Sequence, residues 1–383
     1  LNPPLLAFTQ GDPAGIGPEV LVRALLAAPG PPGGESAPPA GSADPPASPT
    51  PPALGLLIAE RAALEALRPS LPDLAWERLS FHAAAPSRGA VAEAAAAGRL
   101  PVLDPVGERR RVTLGASGAA DAAGALAALD AGIALVAAGA ADALVTAPVA
   151  KHSIARHALP GFTGHTDYLA AACGLARYGR DYLMAFITPD LQVALLSTHL
   201  PLRRALEGVG PEALGEALDR LAASAGGRIA VAAFNPHAGE GGLLGDEDAT
   251  LVAPAVAAAR ERGLDVHGPA SADSLFARAR GGEFDWVLAL YHDQGLIAVK
   301  TSAFGLATNW TLGLPWLRTS VDHGTAFSLA GRGAADPRPM RQVIATTRAL
   351  LAGDLPRRAA AARRGEGSAR PVHPSHRQST PGA

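Results

Sequence analysis

Cysteine is almost missing from this 383-residue chain. Cys173 stands alone, which excludes an internal disulfide and any multi-cysteine zinc site. A reducing cytoplasm is the expected setting. Net charge is missing as well: 33 Lys and Arg against 35 Asp and Glu leave −2, with no general attraction to nucleic acid or an anionic membrane. No basic start followed by a long apolar run marks a secretory signal. The most membrane-like stretch, residues 122–145, contains Asp130 and Asp142 and reads as a buried helix followed by a strand. Lysine is the scarcest charged residue: only Lys151 and Lys300 stand among the basic side chains, and the others are arginine. A chain that uses arginine so heavily keeps lysine where a compact, flexible point charge is useful. What the sequence does have is apolar mass, 48% of its residues, enough for a substantial core in two domains or one large domain with a lobe.

Two stretches resist a folded reading. Residues 29–53 are Pro, Gly, Ser and Ala with almost no large apolar side chain, and residues 363–383 form a polar, basic, Pro-containing tail. Between them short apolar runs alternate with helical patterns. Strands are expected at 5–9, 54–59, 142–147, 183–188, 192–198, 228–234 and 284–291. Helices are expected at 17–28, 119–138, 166–174, 211–223, 246–262, 272–280 and 339–352. The alternation predicts an α/β fold with a largely parallel or mixed sheet.

Three histidines share one context. His199 follows Gln192–Thr198, His237 follows Ile229–Phe234 in "NPHAGEGG", and His292 follows Trp286–Tyr291 in "YHDQG". Loops at the carboxyl ends of strands form the ligand crevice of open α/β sheets. Three imidazoles delivered there could meet on one divalent metal and leave coordination positions open. Taken singly, each reads more readily as a cap or an ordinary hydrogen-bonding histidine than as a ligand. "AGEGGLLGDED" lets backbone approach a ligand closely, or is a turn leading into a helix capped by Asp246. "TQGDPAGIGPE" (9–19) is glycine-rich but matches neither GxGxxG nor a Walker loop, so a Rossmann or P-loop site is unsupported. Lys300 with Asn309 and Arg318 of "NWTLGLPWLRTS" suits a phosphate or carboxylate. His165 and Thr166 fall where a helix should begin, a place favourable to anions, although Thr166 is also a good N-cap. Asp322, His323 and Gly324 supply a further polar loop.

Read in order, "GDPAGIGPE", "TAPVAK", "GFTGHTDYL", "THLPLR", "NPHAGEGG", "SADSLF", "YHDQGLIAVK", "TLGLPWLRTSVDHGTA" and "AGRG" resemble the 4-hydroxythreonine-4-phosphate dehydrogenase family of pyridoxal 5′-phosphate biosynthesis. The resemblance runs from about residue 5 to 351 and omits the Pro-rich insertion. It implies a fold like that of the isocitrate and isopropylmalate dehydrogenases, two α/β lobes around a central cleft, with NAD or NADP bound without a Rossmann fingerprint. The lobes are expected at about 1–140 plus 300–352, and 141–299. It implies a homodimer with the active site at the subunit interface. His199, His237 and His292 would bind a divalent metal (zinc, magnesium or cobalt), with His292 coming from the partner subunit. His165, Thr166, Lys300, Asn309 and Arg318 would hold the phosphorylated hydroxy-amino-acid substrate, and Asp322, His323 and Gly324 the cofactor. Asp293 or Asp273 is the expected proton acceptor when the metal-activated secondary alcohol is oxidised. A paralogous dehydrogenase of D-threonate or D-erythronate 4-phosphate is the nearest rival. An enzyme acting on cyclic dihydrodiols, a metal-dependent phosphatase and a non-catalytic binding protein lie further off.

Overall fold

The computed structural model describes residues 3–26 and 53–354; the Pro/Gly-rich stretch up to residue 52 and the 363–383 tail lie outside the described residues. Twelve strands run β1 (Leu5–Thr9), β2 (Leu54–Ile58), β3 (Leu79–His82), β4 (Leu100–Leu103), β5 (Ala143–Thr146), β6 (Leu183–Ile187), β7 (Gln192–Leu195), β8 (Ile229–Ala232), β9 (Val266–Ala270), β10 (Trp286–Ala289), β11 (Thr308–Leu312) and β12 (Leu317–Val321). The helices are α1 (Gly17–Leu26), α2 (Arg61–Leu67), α3 (Arg88–Ala96), α4 (Ala119–Ala137), α5 (Lys151–His157), α6 (His165–Ala172), α7 (Leu202–Glu207), α8 (Pro211–Ala225), α9 (Ala253–Glu261), α10 (Ala272–Arg280), α11 (His292–Ser302) and α12 (Arg338–Leu351). The architecture is α/β with one large mixed sheet.

That sheet has the order β3-β4-β2-β1-β5-β12-β11-β6-β7-β10-β8-β9. Both flanks are parallel, and the direction reverses only in the middle, where β11 runs antiparallel to β12 and β6, and β6 antiparallel to β7. Strands covered by helices on both faces read as unbroken apolar runs, as in LLAFT, LMAFI, IAVA and WVLA, every residue of which is buried. This is why all seven strands read from the sequence are present. One pair of core clusters packs on the two faces of the β1-side half, and another pair on the two faces of the β10-side half.

Of the strands that sequence reading missed, β4, LPVL, is fully buried but only four residues long and interrupted by Pro101, and others lack the apolar signature. Edge strand β3 has no fully buried residue, and β9, VHGPA, carries a Gly-Pro that only an edge strand accommodates comfortably. The segment 307–321, to which no strand was assigned from the sequence, is a hairpin of β11 and β12. "YHDQG" is not a strand end that merely turns: His292 opens α11, and Lys300 sits in its last turn. The helix expected at 246–262 is broken into a wide turn at Asp248–Val252 and then α9. Among the described residues α4 is the one helix long and apolar enough to cross a membrane, and it lies against β1 and β5 as a core helix.

Candidate active site

Where the sheet reverses direction, a pocket of about 220 Å³ opens over its centre. A reversal of strand order or direction is where α/β sheets leave a crevice, because neighbouring connections diverge to opposite sides. The walls come from the carboxyl ends of β5 and β12, the inner face of β6 and β11, the segment after β7, and the N-termini of α5, α6 and α11. Nine of the residues singled out from the sequence line it: His165, Thr166, His199, His292, Asn309, Arg318, Asp322, His323 and Gly324. The glycine-rich loop after β1 does not line it but braces it. Asp12 N donates to Pro148 O at 2.9 Å and Ile16 N to Thr325 O at 3.0 Å. Gly11 (φ 72°) is required there, since a Cβ would lie 2.2 Å from Pro148 O.

The floor is Arg318, only 2% exposed. Its Nη1 donates to Thr311 Oγ1 at 3.0 Å and its Nη2 to Thr146 Oγ1 at 2.7 Å, while Nε has no partner. Among the described residues no carboxylate pairs with it. Burial pulls its pKa down to about 9, so it is still a cation at neutral pH, with no counter-charge. Beside it, burial first, then the charges of Arg318 and Lys151, hold His165 well below the ordinary histidine value, so its imidazole is neutral. His165 Nε2 and Asn309 Oδ1 are, like Arg318 Nε, buried polar atoms without a partner among the described residues. Three such atoms in one pocket mark a place prepared for a polar ligand. Thr166 is not the N-cap expected; Gly164 holds that position and Thr166 is inside the first turn of α6, beside the free N–H groups of that helix end.

On the opposite wall the rings of His199 and His292 lie 5.3 Å apart, centroid to centroid. Burial, then Lys151 and His292, lower the His199 pKa, favouring the neutral form that a metal requires. Asp293 does not line the pocket; it is 73% exposed, with Oδ1 2.7 Å from His292 Nδ1. Lys300 does not line the pocket directly; its Nζ is 3.5 Å from Asp322 Oδ2, which does. Burial raises the Asp322 pKa against the opposing pull of Lys300.

His237 and Asp273 are elsewhere. His237 is exposed, in a turn whose residues 237–242 all have positive φ, including the non-glycines His237 (52°), Ala238 (54°) and Glu240 (44°). Left-handed backbone costs an L-residue about 1–2 kcal/mol, and such strain collects at functional sites. The turn is pinned at its base, where Phe234 N and Asn235 N donate to the buried Asp248 carboxylate at 2.7 and 2.8 Å. Asp273, at the start of α10, is held below the usual carboxylate range by Ser271 Oγ, with a smaller pull from nearby His237. Within one chain, therefore, two of the three imidazoles face one wall. No group of three His, Cys, Asp or Glu is gathered as a metal site among the described residues.

Among the charged lining residues, sequence reading gave no task to Lys151 and Asp167, and it missed Thr146, which holds Arg318. The scarcity of lysine did single out Lys151, but only Lys300 was given a task. Asp167 was read as an ordinary first-turn acid, which its position in α6 also makes it.

Residues 55–347 match the family described as pyridoxal phosphate biosynthetic protein PdxA. The 4-hydroxythreonine-4-phosphate dehydrogenase of Chromobacterium violaceum is 40% identical over 363 residues, 93% of this chain and 99% of that protein. A crystal structure of the 4-hydroxythreonine-4-phosphate dehydrogenase of Klebsiella pneumoniae superposes with a TM-score of 0.71 at 33% identity, covering 90% of this chain and 97% of that one. The D-threonate 4-phosphate dehydrogenase of Salmonella typhimurium is 36% identical, over 88% of this chain and 95% of that protein. Alike nearly end to end in sequence and in fold, this chain belongs to the PdxA family of pyridoxal phosphate biosynthetic proteins.

Proposed function

We propose that this chain oxidises 4-phosphohydroxy-L-threonine to 2-amino-3-oxo-4-(phosphooxy)butanoate, which loses CO2 to give 3-amino-2-oxopropyl phosphate on the route to pyridoxal 5′-phosphate. The observation that carries the reading is Arg318, a buried guanidinium held by two neutral threonines and no acid. Burying a charge without a counter-charge is costly, and a phosphate on the substrate supplies the compensation. Asn309 and His165, each with an unpartnered polar atom, and Thr166 at the start of α6 are assigned to the same substrate. Lys300 is assigned a supporting task, as the counter-charge to Asp322 at the rim.

A nicotinamide cofactor, NAD or NADP, supplies the hydride acceptor when bound, with Asp322, His323 and Gly324 as its assigned contacts. A divalent metal (zinc, magnesium or cobalt) held by His199, His292 and His237 supplies Lewis-acid polarisation of the substrate alcohol. Two of these imidazoles already share a wall, which makes His237, in place of His292, the ligand we assign to the partner subunit. Large apolar side chains exposed beside each histidine support a homodimer that closes this site: Leu200 by His199, Leu243 and Leu244 after His237, and Ile297 and Phe304 after His292. Asp293 and Asp273, each beside one of these histidines, are assigned to orient imidazoles rather than to accept the substrate proton. We also assign two lobes about the cleft. The core clusters support a boundary that leaves β11 with the 178–312 half and returns β12 and α12 to the N-terminal half.

The test is reduced-cofactor formation by metal-loaded protein, with 4-phosphohydroxy-L-threonine and D-threonate 4-phosphate each assayed against NAD and NADP. Oxidation of the amino acid with the higher kcat/KM supports the proposal; preference for the sugar acid replaces it with the paralogous activity. Release of inorganic phosphate without cofactor reduction would make the protein a phosphatase. His237→Ala should abolish turnover and lower metal content while the protein remains folded. Full activity in metal-free protein removes the metal from the reading.

A further inference from the structure

The glycine-rich motif after β1 has no task in that reading, yet it carries a fully buried acid, Asp12. Burial raises the pKa of this carboxyl, against the pull of the Ser117 hydroxyl and the Ala14 N–H. No Lys or Arg pairs with it among the described residues; Oδ1 accepts from Ala14 N at 2.9 Å and Oδ2 from Ser117 Oγ at 2.7 Å. A charge withdrawn from water without a counter-charge is costly, so what it holds in place is informative. Ser117 Oγ also lies 2.8 Å from the Oγ of buried Ser153. A hydroxyl has one proton and an ionised carboxylate only accepts, so Ser117 donates to Asp12 and Ser153 donates to Ser117. The chain Ser153–Ser117–Asp12 therefore runs in one direction. It joins the turn after β1, the residue before the N-cap of α4, and the first turn of α5.

Both ends of this chain reach the pocket wall. Asp12 N holds Pro148 O, three residues ahead of Lys151, and Lys151 opens α5 as a lining residue. The Lys151 side chain lies over Gly164, the N-cap of α6, where a Cβ would meet its Cε at 2.9 Å and its Nζ at 3.2 Å. On the other side, the turn that Asp12 closes on Ala14 presents Ile16 N to Thr325 O at 3.0 Å. Gly15 packs so closely there that a Cβ would lie 3.1 Å from the same oxygen. Thr325 directly follows the lining residues Asp322, His323 and Gly324. Asn309 and Arg318 are fixed by sheet pairing, and His165 and Thr166 by their own helix. The 322–325 turn lies past the end of β12 and leans instead on the Ile16–Thr325 bond and the Lys300–Asp322 pair.

We propose that Asp12 is a positioning residue for the nicotinamide cofactor: through Ser117 and Ser153 it sets α5, through Ala14 and Ile16 it sets the 322–325 turn, and it keeps the two in register without touching the cofactor. The proposal rests on the assignment of Asp322, His323 and Gly324 to the cofactor made above.

Titration of metal-loaded protein with NADH and NADPH, followed by nicotinamide fluorescence, reads cofactor binding without turnover. Ser117→Ala cuts the chain in the middle and is expected to raise the dissociation constant of the preferred reduced cofactor about five- to tenfold. The KM of whichever phosphorylated substrate the wild type oxidises should stay within about twofold. Ser117→Thr keeps the hydroxyl and should bind cofactor within about twofold of wild type. Ser153→Ala frees α5 but leaves Ser117 on Asp12, so its effect should be about threefold or less. Asp12→Asn exchanges one acceptor for a donor and should weaken binding at least as much as Ser117→Ala. Thermal midpoints of all variants are compared with wild type, so that a general loss of fold is read separately. A lowered midpoint of Ser117→Ala with an unchanged cofactor constant makes the chain structural and overturns the proposal. Equal weakening of cofactor and substrate, or equal weakening by Ser117→Ala and Ser117→Thr, overturns it too. A wild-type protein that binds neither NADH nor NADPH instead overturns the cofactor assignment, and the proposal with it, whatever the variants do.

Discussion

Arg110 and Arg318 are both arginines withdrawn from solvent, and their surroundings are opposite. Arg110, with 15% of its side chain exposed, grips Glu60 through Nε and Nη2 at 2.6 and 3.0 Å and Asp121 through Nη1 at 2.8 Å. Its pKa is raised, chiefly by the hydrogen bonds it donates to Glu60. Arg318 has two hydroxyls and no acid, and burial lowers its pKa to about 9. The first guanidinium is complete within the fold and ties the loop after β4 to α4 and the end of β2. The second is incomplete within the fold and is finished by what binds. An arginine in a sequence does not say which it is; the partners that the fold brings to it do.

The contrast is sharpened most by removing each guanidinium in turn. Arg318→Met should lower kcat/KM about 10²–10³-fold, the usual loss when a buried charge contact to a ligand is deleted, while leaving the thermal midpoint unchanged or higher, since no acid is stranded. A large loss of stability with kcat/KM preserved would make Arg318 structural. Arg110→Met should do the reverse, destabilising the fold by about 3–5 kcal/mol in chemical denaturation because Glu60 and Asp121 are left buried without their cation. Its kcat/KM, measured on folded protein, should stay within about threefold of wild type.

Smaller effects probe the cleft around Arg318. His165 is neutral in the fold and its folded pKa lies below the ordinary 6.5, so the unfolded chain takes up its proton first as pH falls. Its contribution to stability is therefore full above about pH 6.5 and declines below it, by up to about 1.4 kcal/mol per pH unit. His165→Asn should flatten the stability-against-pH curve by one proton in that range, and an unchanged slope would contradict the buried neutral imidazole. Gly164→Ala should displace Lys151, lowering kcat/KM about tenfold and stability by about 1 kcal/mol. Unaltered kinetics would show that Lys151 can shift without consequence.

The legible parts of this molecule were those written in local patterns. Buried strands such as LMAFI and WVLA announced themselves because helices cover both faces and no polar alternation is needed. The N-terminus of α6 and the polar residues of β11 and β12 were recognisable as site material from residue type and ordered motifs. The hairpin itself was not, because "NWTLGLPWLRTS" mixes polar and apolar residues where a strand face meets the pocket. α11 was hidden for a similar reason: His292, Asp293, Gln294 and Gly295 read as a turn, yet packing of Leu296 and Val299 on the core extends them into a helix. Asp293 and Asp273 could be listed as carboxylates but not placed. Only the fold shows that both lie outside the pocket, beside histidines.

By itself the sequence determined the α/β class, most of the elements, the family resemblance and nine of the residues that line the pocket. Each of these depends on side-chain chemistry and short-range spacing along the chain. The tertiary structure decided which charges are satisfied and which await a ligand. Thr146 and Arg318 are 172 residues apart, and Gln10, Glu60 and Arg110 meet from three segments. Whether a buried cation finds an acid or a hydroxyl is a long-range fact, fixed only when twelve strands close into one sheet and its central strands reverse direction.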